Sequence, residues 1–159
     1  MVKKGLQPDP DKILKRLAGQ CARSEQCRSD IVAKLYRARL TATQRDEILN
    51  YLVENRYVDD GRYARAFTND KVRFSCWGRR KIRMALAAKR ISPTLITEAF
   101  ETIDPAEYEA SLARATRSLA KDVDFADREA VSKLYRRLLA RGYESNLISK
   151  ALKDYQGAD

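Results

Sequence analysis

Between Lys71 and Thr97 the chain carries eight lysines and arginines and not one aspartate or glutamate. They are Lys71, Arg73, Arg79, Arg80, Lys81, Arg83, Lys89 and Arg90, with Phe74 and Trp77 interleaved. On a helix beginning near Gly78, the hundred-degree step places Ile82, Ala85 and Leu86 on one face. Arg79, Arg83 and Arg90 then line an adjoining stripe, with Arg80 beside them and Lys81 on the far flank. Arg79, Arg80 and Lys81 fall in the first turn, where the macrodipole disfavours cations by about 0.3–1 kcal/mol each at exposed sites. An anion resting on the helix start, close to Gly78, would reverse that cost. Phosphate is the first choice and a carboxylate of a partner protein the second; a merely solvated basic face is the competing reading. Trp77 and Phe74 could stack on nucleobases, wedge against a partner or plug the junction between two helices.

A second basic group, Lys133, Arg136, Arg137 and Arg141, lies opposite the apolar face of Val131, Leu134, Leu138 and Leu139. It is either a solvated surface or a further contact for DNA or a protein partner. Nothing points to catalysis. The chain has no histidine, so a Cys/His zinc site is excluded and no cysteine has an activating imidazole. There is no phosphate-binding glycine loop, and the basic track lacks the clustered carboxylates of a metal-dependent nuclease. Asp59-Asp60 resembles an acid/base pair, yet its place ahead of Tyr63, Ala64 and Phe67 suits helix capping. No catalytic residue, metal or cofactor is expected.

The elements that must position these side chains are helices. Apolar residues recur at three- and four-residue spacing nearly throughout, and only 6 Gly and 4 Pro interrupt 159 residues. Asp9-Pro10, Ser92-Pro93 and Asp104-Pro105 each set a capping side chain before a first-turn proline, and Ser24, Thr43 and Asp59 or Asp60 offer further caps. Nine helices follow, at about 10–22, 25–38, 43–55, 60–74, 78–90, 93–103, 105–121, 126–141 and 145–155. Leu35, Leu86 and Leu138 share one register, followed by Leu40, Ile91 and Tyr143, then Ile48, Ile96 and Ile148, then Tyr51, Ala99 and Ala151. A period near fifty predicts an all-α array of three tandem three-helix units, elongated and curved, at 1–57, 58–103 and 104–159. Three extra residues in the first unit fall near Thr41–Thr43.

The formal net charge is +10. Lys and Arg outnumber Asp and Glu by 12 to 7 in residues 1–57 and 10 to 5 in 58–103, and balance at 10 each in 104–159. Such a surplus favours a polyanionic partner. No run of eighteen apolar residues suggests a membrane span, and Met1 to Gly5 lacks the apolar stretch of a secretory signal. Cys21, Cys27 and Cys76, odd in number, are expected to be reduced thiols in a cytoplasmic protein.

Two blocks carry a family resemblance. Tyr57-Val58-Asp59-Asp60-Gly61-Arg62-Tyr63-Ala64-Arg65-Ala66-Phe67 resembles the RecX signature of paired acid, arginine, aromatic and alanine. Further on, Trp77-Gly78-Arg79-Arg80-Lys81-Ile82-Arg83 through Leu86, Lys89, Ile91 and Ile96 is similar to that family's second block. Of the residues matching it, Gly78, Ile82, Leu86 and Ile91 suit packing, and Lys81 and Lys89 suit a surface role. The likeness is closest over about 55–100 and loose elsewhere. It implies tandem three-helix units and a non-enzymatic, monomeric regulator of recombination and DNA repair. Its implied partners are a RecA recombinase filament, single-stranded DNA and also double-stranded DNA, with filament growth, ATP hydrolysis and strand exchange restrained. The rival is a plain nucleic-acid binder whose helix-turn-helix is formed by 78–90 and 93–103.

Overall fold

The computed structural model describes residues 7–158; the expectation for Met1 to Gly5 lies outside them. Among these residues there are nine helices and no strand: α1 (Pro10–Arg23), α2 (Arg28–Arg37), α3 (Ala42–Glu54), α4 (Asp60–Ser75), α5 (Arg79–Ala88), α6 (Pro93–Glu101), α7 (Pro105–Ala120), α8 (Arg128–Ala140) and α9 (Ser145–Gln156). Asp9, Ser92 and Asp104 accept hydrogen bonds from first-turn amides, as their place before proline predicts. Two expected caps move. Thr41, not Thr43, caps α3, in a reciprocal box with Gln44. Ser24 is the C-cap of α1, and Cys27 is the N-cap residue of α2.

The repeat is carried by packing. In each triplet the third helix lies against both the first and the second: α3 on α1 and α2, α6 on α4 and α5, α9 on α7 and α8. Four residues link second to third helix each time, 38–41, 89–92 and 141–144. Each link holds a left-handed residue at its second position, Arg39 (φ 56°), Arg90 (φ 58°) and Gly142 (φ 96°). Next in each comes a buried Leu40, Ile91 or Tyr143. The chain thus turns back sharply while the following side chain anchors the corner.

The extra residues of the first triplet are therefore not in its turn. They lengthen α3, whose buried face (Ile48, Leu49, Leu52) begins one helical turn later than that of α6 or α9. Tyr51 consequently does not match Ala99; it is exposed, and Leu52 occupies the core. At the position of Ile96 and Ile148 the first triplet has Arg45. Its guanidinium bonds Leu40 O at 2.7 Å and lies 4.3 Å from the centre of the Tyr36 ring.

Burial forms two hydrophobic clusters. One runs from Ile13 to Val58; the other joins residues 64–152 and takes in Cys27. Polar contacts make much of the joint between them. Arg62 Nε meets Glu25 Oε1 at 2.6 Å, Lys89 Nζ meets Asp30 Oδ1 at 2.7 Å, and Ser29 Oγ donates to Lys89 O at 2.7 Å. Asp59 caps its own helix, whereas Asp60 accepts from the Arg28 amide at 2.8 Å and so caps α2. The two acids are capping groups of different helices.

Two stability tests follow from these turns. Gly142→Ala places a Cβ against the Lys81 backbone in a left-handed conformation and should lower unfolding free energy by more than about 2 kcal/mol. Arg39→Gly relieves a left-handed arginine and should raise it by about 1 kcal/mol, both read by urea denaturation. The joint is also acid-sensitive. Burial raises the Asp30 carboxyl, but hydrogen bonds from Lys89 and Cys27 and the charges of Lys89 and Lys34 outweigh it, leaving the group below its ordinary value. A depressed carboxylate stabilises the fold above its unfolded value and loses that contribution as pH falls through the folded one. Stability should therefore drop as pH falls below about 4, and Asp30→Asn should flatten part of the slope, by under about 1 kcal/mol for so solvated a pair.

Candidate nucleic-acid interface

The approach to α5 is shaped by its predecessor. Helix α4 ends at Cys76 in the left-handed region (φ 50°), and Trp77 N–H donates to Lys71 O at 3.1 Å, folding the indole back on α4. Gly78 then caps α5 and is buried against the α8–α9 turn. Its amide donates to Arg141 O at 2.8 Å, the Arg80 amide to Gly142 O at 3.1 Å and the Arg79 amide to Tyr108 Oη at 3.0 Å.

These bonds correct one expectation. The close approach at Gly78 is made by the Gly142 backbone, which a Cβ at position 78 would overlap, and the first amides of α5 are already occupied by oxygens of the protein. There is no room for an anion on the helix start.

Nor is the acid-free run free of acids in space. Arg79 meets Glu144 at 3.1 Å and lies over the Tyr108 ring at 4.0 Å, while Tyr108 Oη donates to Glu144 Oε2 at 2.7 Å. Burial holds the Tyr108 hydroxyl well above the ordinary phenol range, so it remains the donor. Lys89 is spent on Asp30 at the joint. The Arg141 guanidinium donates to Ser75 O at 3.2 Å, tying the end of α4 to the turn. Arg79, Lys89 and Arg141 are thus largely struts.

The remaining expected residues stay open. Among the described residues, Lys71, Arg73, Arg80, Lys81, Arg83 and Arg90 take part in no ion pair. Arg83 lies 4.9 Å from the Phe100 ring centre, Arg73 lies 6.0 Å from that of Phe74, and Arg90 occupies its exposed left-handed turn. Trp77 is half-buried, edge-on to Phe67 at 6.3 Å, with Lys71 and Lys81 at 4.6 and 4.3 Å from its ring centre. It plugs the α4–α5 junction. Phe74, in contrast, is 74% exposed.

A groove runs between the start of α5 and the end of α8. Trp77, Arg80, Lys81 and Met84 line one side, and Leu139 and Ala140 the other. Helical spacing puts Lys133 and Arg136 within about 40° of Ala140 on α8, away from the buried Leu134 and Leu138, and Arg137 about 60° from Ala140 and beside Leu134. All three are exposed and outside any ion pair among the described residues. Sequence reasoning missed Met84, which is 75% exposed; its place off the Ile82–Leu86 stripe was the available signal. No group of three His, Cys, Asp or Glu among the described residues could hold a metal, no helix is long and apolar enough to cross a membrane, and all three cysteines are free.

Fold and surface together define a basic, all-helical repeat protein with unpaired cations on α5 and on the exposed side of α8. Comparison with known proteins names the class more narrowly, and the chain belongs to the RecX family. Residues 59–99 match the family description "RecX, second three-helix domain". The regulatory protein RecX of Chlorobium phaeobacteroides (strain BS1) is 30% identical over 137 residues, covering 86% of this chain and 87% of that protein. That of Clostridium botulinum (strain Eklund 17B / Type B) is 37% identical over 111 residues, 67% of this chain, but this spans only 50% of the clostridial protein. The crystal structure of RecX from Lactobacillus salivarius superposes with a TM-score of 0.76 at 18% identity, over 91% of this chain and 95% of that one, and so shares its fold.

The division of labour between struts and open cations is measurable. Arg79→Ala removes the ion pair with Glu144 and the cation stacked on Tyr108 and should cost about 1–2 kcal/mol in a thermal or urea melt. Arg80→Ala, at an exposed residue outside any ion pair among the described residues, should leave the melt within about 0.5 kcal/mol of wild type.

Proposed function

We propose that this chain restrains a RecA recombinase filament on single-stranded DNA, in the cytoplasm, by binding alone and without catalysing a reaction. The observation that carries the reading is the run of unpaired cations on and beside α5, with a further exposed set on α8, in a chain of the RecX family. A filament offers both ligands such a face needs, a phosphate backbone and acidic protein surface. A binder that bridges neighbouring protomers alters how the filament grows, and its grip weakens as salt rises. The proposed division into units at 1–57, 58–103 and 104–159 gives the second unit most of the contact and the third the opposing side of the groove. The helix-turn-helix rival receives less support, because the exposed face of α6 carries Glu98 and Glu101, which repel a phosphate backbone.

The test is the DNA-dependent ATPase of the cognate RecA on single-stranded DNA. Wild-type protein should depress it at less than one molecule per protomer, and Arg80→Glu/Arg83→Glu/Arg136→Glu should relieve the effect at least tenfold in concentration. Arg79 is left out of that variant because its loss unsettles the fold. An ATPase untouched by protein that still binds DNA removes the recombinase and leaves a plain nucleic-acid binder.

A further inference from the structure

Trp77 is the only tryptophan of the chain, and two ammonium groups converge on it. Lys71 comes from α4 and Lys81 from α5, with their Nζ atoms 4.6 and 4.3 Å from the same ring centre. The two nitrogens are therefore no more than about 9 Å apart, and neither has an acidic partner among the described residues. An indole so engaged is not a vacant platform for a nucleobase. It works as a rack: the electron-rich ring holds each lysine chain in place and offsets part of the repulsion between the charges. Two unpaired ammonium groups so placed attract an anion.

The surroundings select among anions. The groove beside the rack has an apolar floor of Met84, Leu139 and Ala140 and a further cation, Arg80 of α5, in its lining; helical spacing sets Lys133 and Arg136 on the side of α8 that carries Ala140. A single carboxylate would engage only one point of that row, whereas a chain with a phosphate on every residue engages it throughout. An apolar floor between basic rims suits bases that are free to leave their stack, which a single strand has and a duplex does not.

We infer that Lys71 and Lys81, racked on Trp77, clasp a backbone phosphate of single-stranded nucleic acid whose neighbouring bases lie on the Met84–Leu139 floor. This deepens the function proposed above and rests on it for the identity of the groove as a binding face. Trp77 is a positioning residue: it fixes the lysines and does not stack on a base.

The sole indole reports on its own site. Tryptophan emission of the wild-type protein should change saturably on titration with (dT)12, and hardly at all with thymidine, with poly-glutamate or with a 12-bp duplex at equal phosphate. Lys71→Gln/Lys81→Gln, two surface changes, should bind fluorescein-labelled (dT)12 at least tenfold more weakly in 50 mM salt. Its plot of log affinity against log salt should be shallower by about 1. Trp77→Phe, which keeps an aromatic face, should stay within about threefold of wild type, while Trp77→Leu, assayed at a temperature where circular dichroism shows it folded, should fall with the lysine variant. An unchanged salt slope in the lysine variant overturns the clasp. Poly-glutamate binding as tight as (dT)12 assigns the site to an acidic protein instead, and equal duplex binding removes the base-receiving floor. Because no recombinase is present, a failed clasp leaves the ATPase result standing, and a null ATPase result leaves the clasp standing.

Discussion

The architecture hinges on two glycines whose backbones touch. Gly78 opens α5 and Gly142 turns α8 into α9, and the amides of Gly78 and Arg80 donate to the carbonyls of Arg141 and Gly142. A side chain at either position would drive the segments apart. Everything at the candidate interface depends on that contact, because it brings the start of α5 against the end of α8 and leaves a groove between the two helices. The Arg79–Glu144–Tyr108 network and the bond from Arg141 to Ser75 reinforce the weld from both sides.

The same joint is built twice with different materials. Between the first and second triplets, the turn at Lys89 meets the start of α2 through side chains: the Ser29 hydroxyl donates to the Lys89 carbonyl and Asp30 pairs with the Lys89 ammonium. Between the second and third, glycine brings the backbones close enough to bond directly. A side-chain joint is more solvated and depends on ionisation. A backbone joint is short and does neither. The array is accordingly stiff at one junction and conditional at the other.

How much of this is written in the chain differs by level. The helices and their number were legible because a period of 3.6 residues, proline after a capping acid, and recurring Leu, Ile and Tyr are local signals. The insertion in the first triplet was visible as a length but misplaced in the turn, since the spacing of buried residues does not say whether a loop or a helix has grown; Arg45 in an isoleucine's place was the clue. The basic surface was legible as composition. Its partition was not, because Glu144 and Asp30, which claim Arg79 and Lys89, stand 65 and 59 residues away along the chain. Gly78 was rightly read as a point of close approach, but an approaching phosphate and an approaching backbone ask the same of a glycine.

The separate hydrophobic clusters have a bearing on cooperativity. The cluster from Ile13 to Val58 is the smaller and meets the larger one through the buried Cys27 as well as through the polar contacts, so opening the first uncovers only that edge of the second. Amide exchange in α1–α3 should then report a subglobal opening of lower free energy than that governing α5 and α8, where a backbone weld and a shared core must yield together. The chain would behave as a firm body with a looser appendage, able to change its reach while its groove keeps its shape.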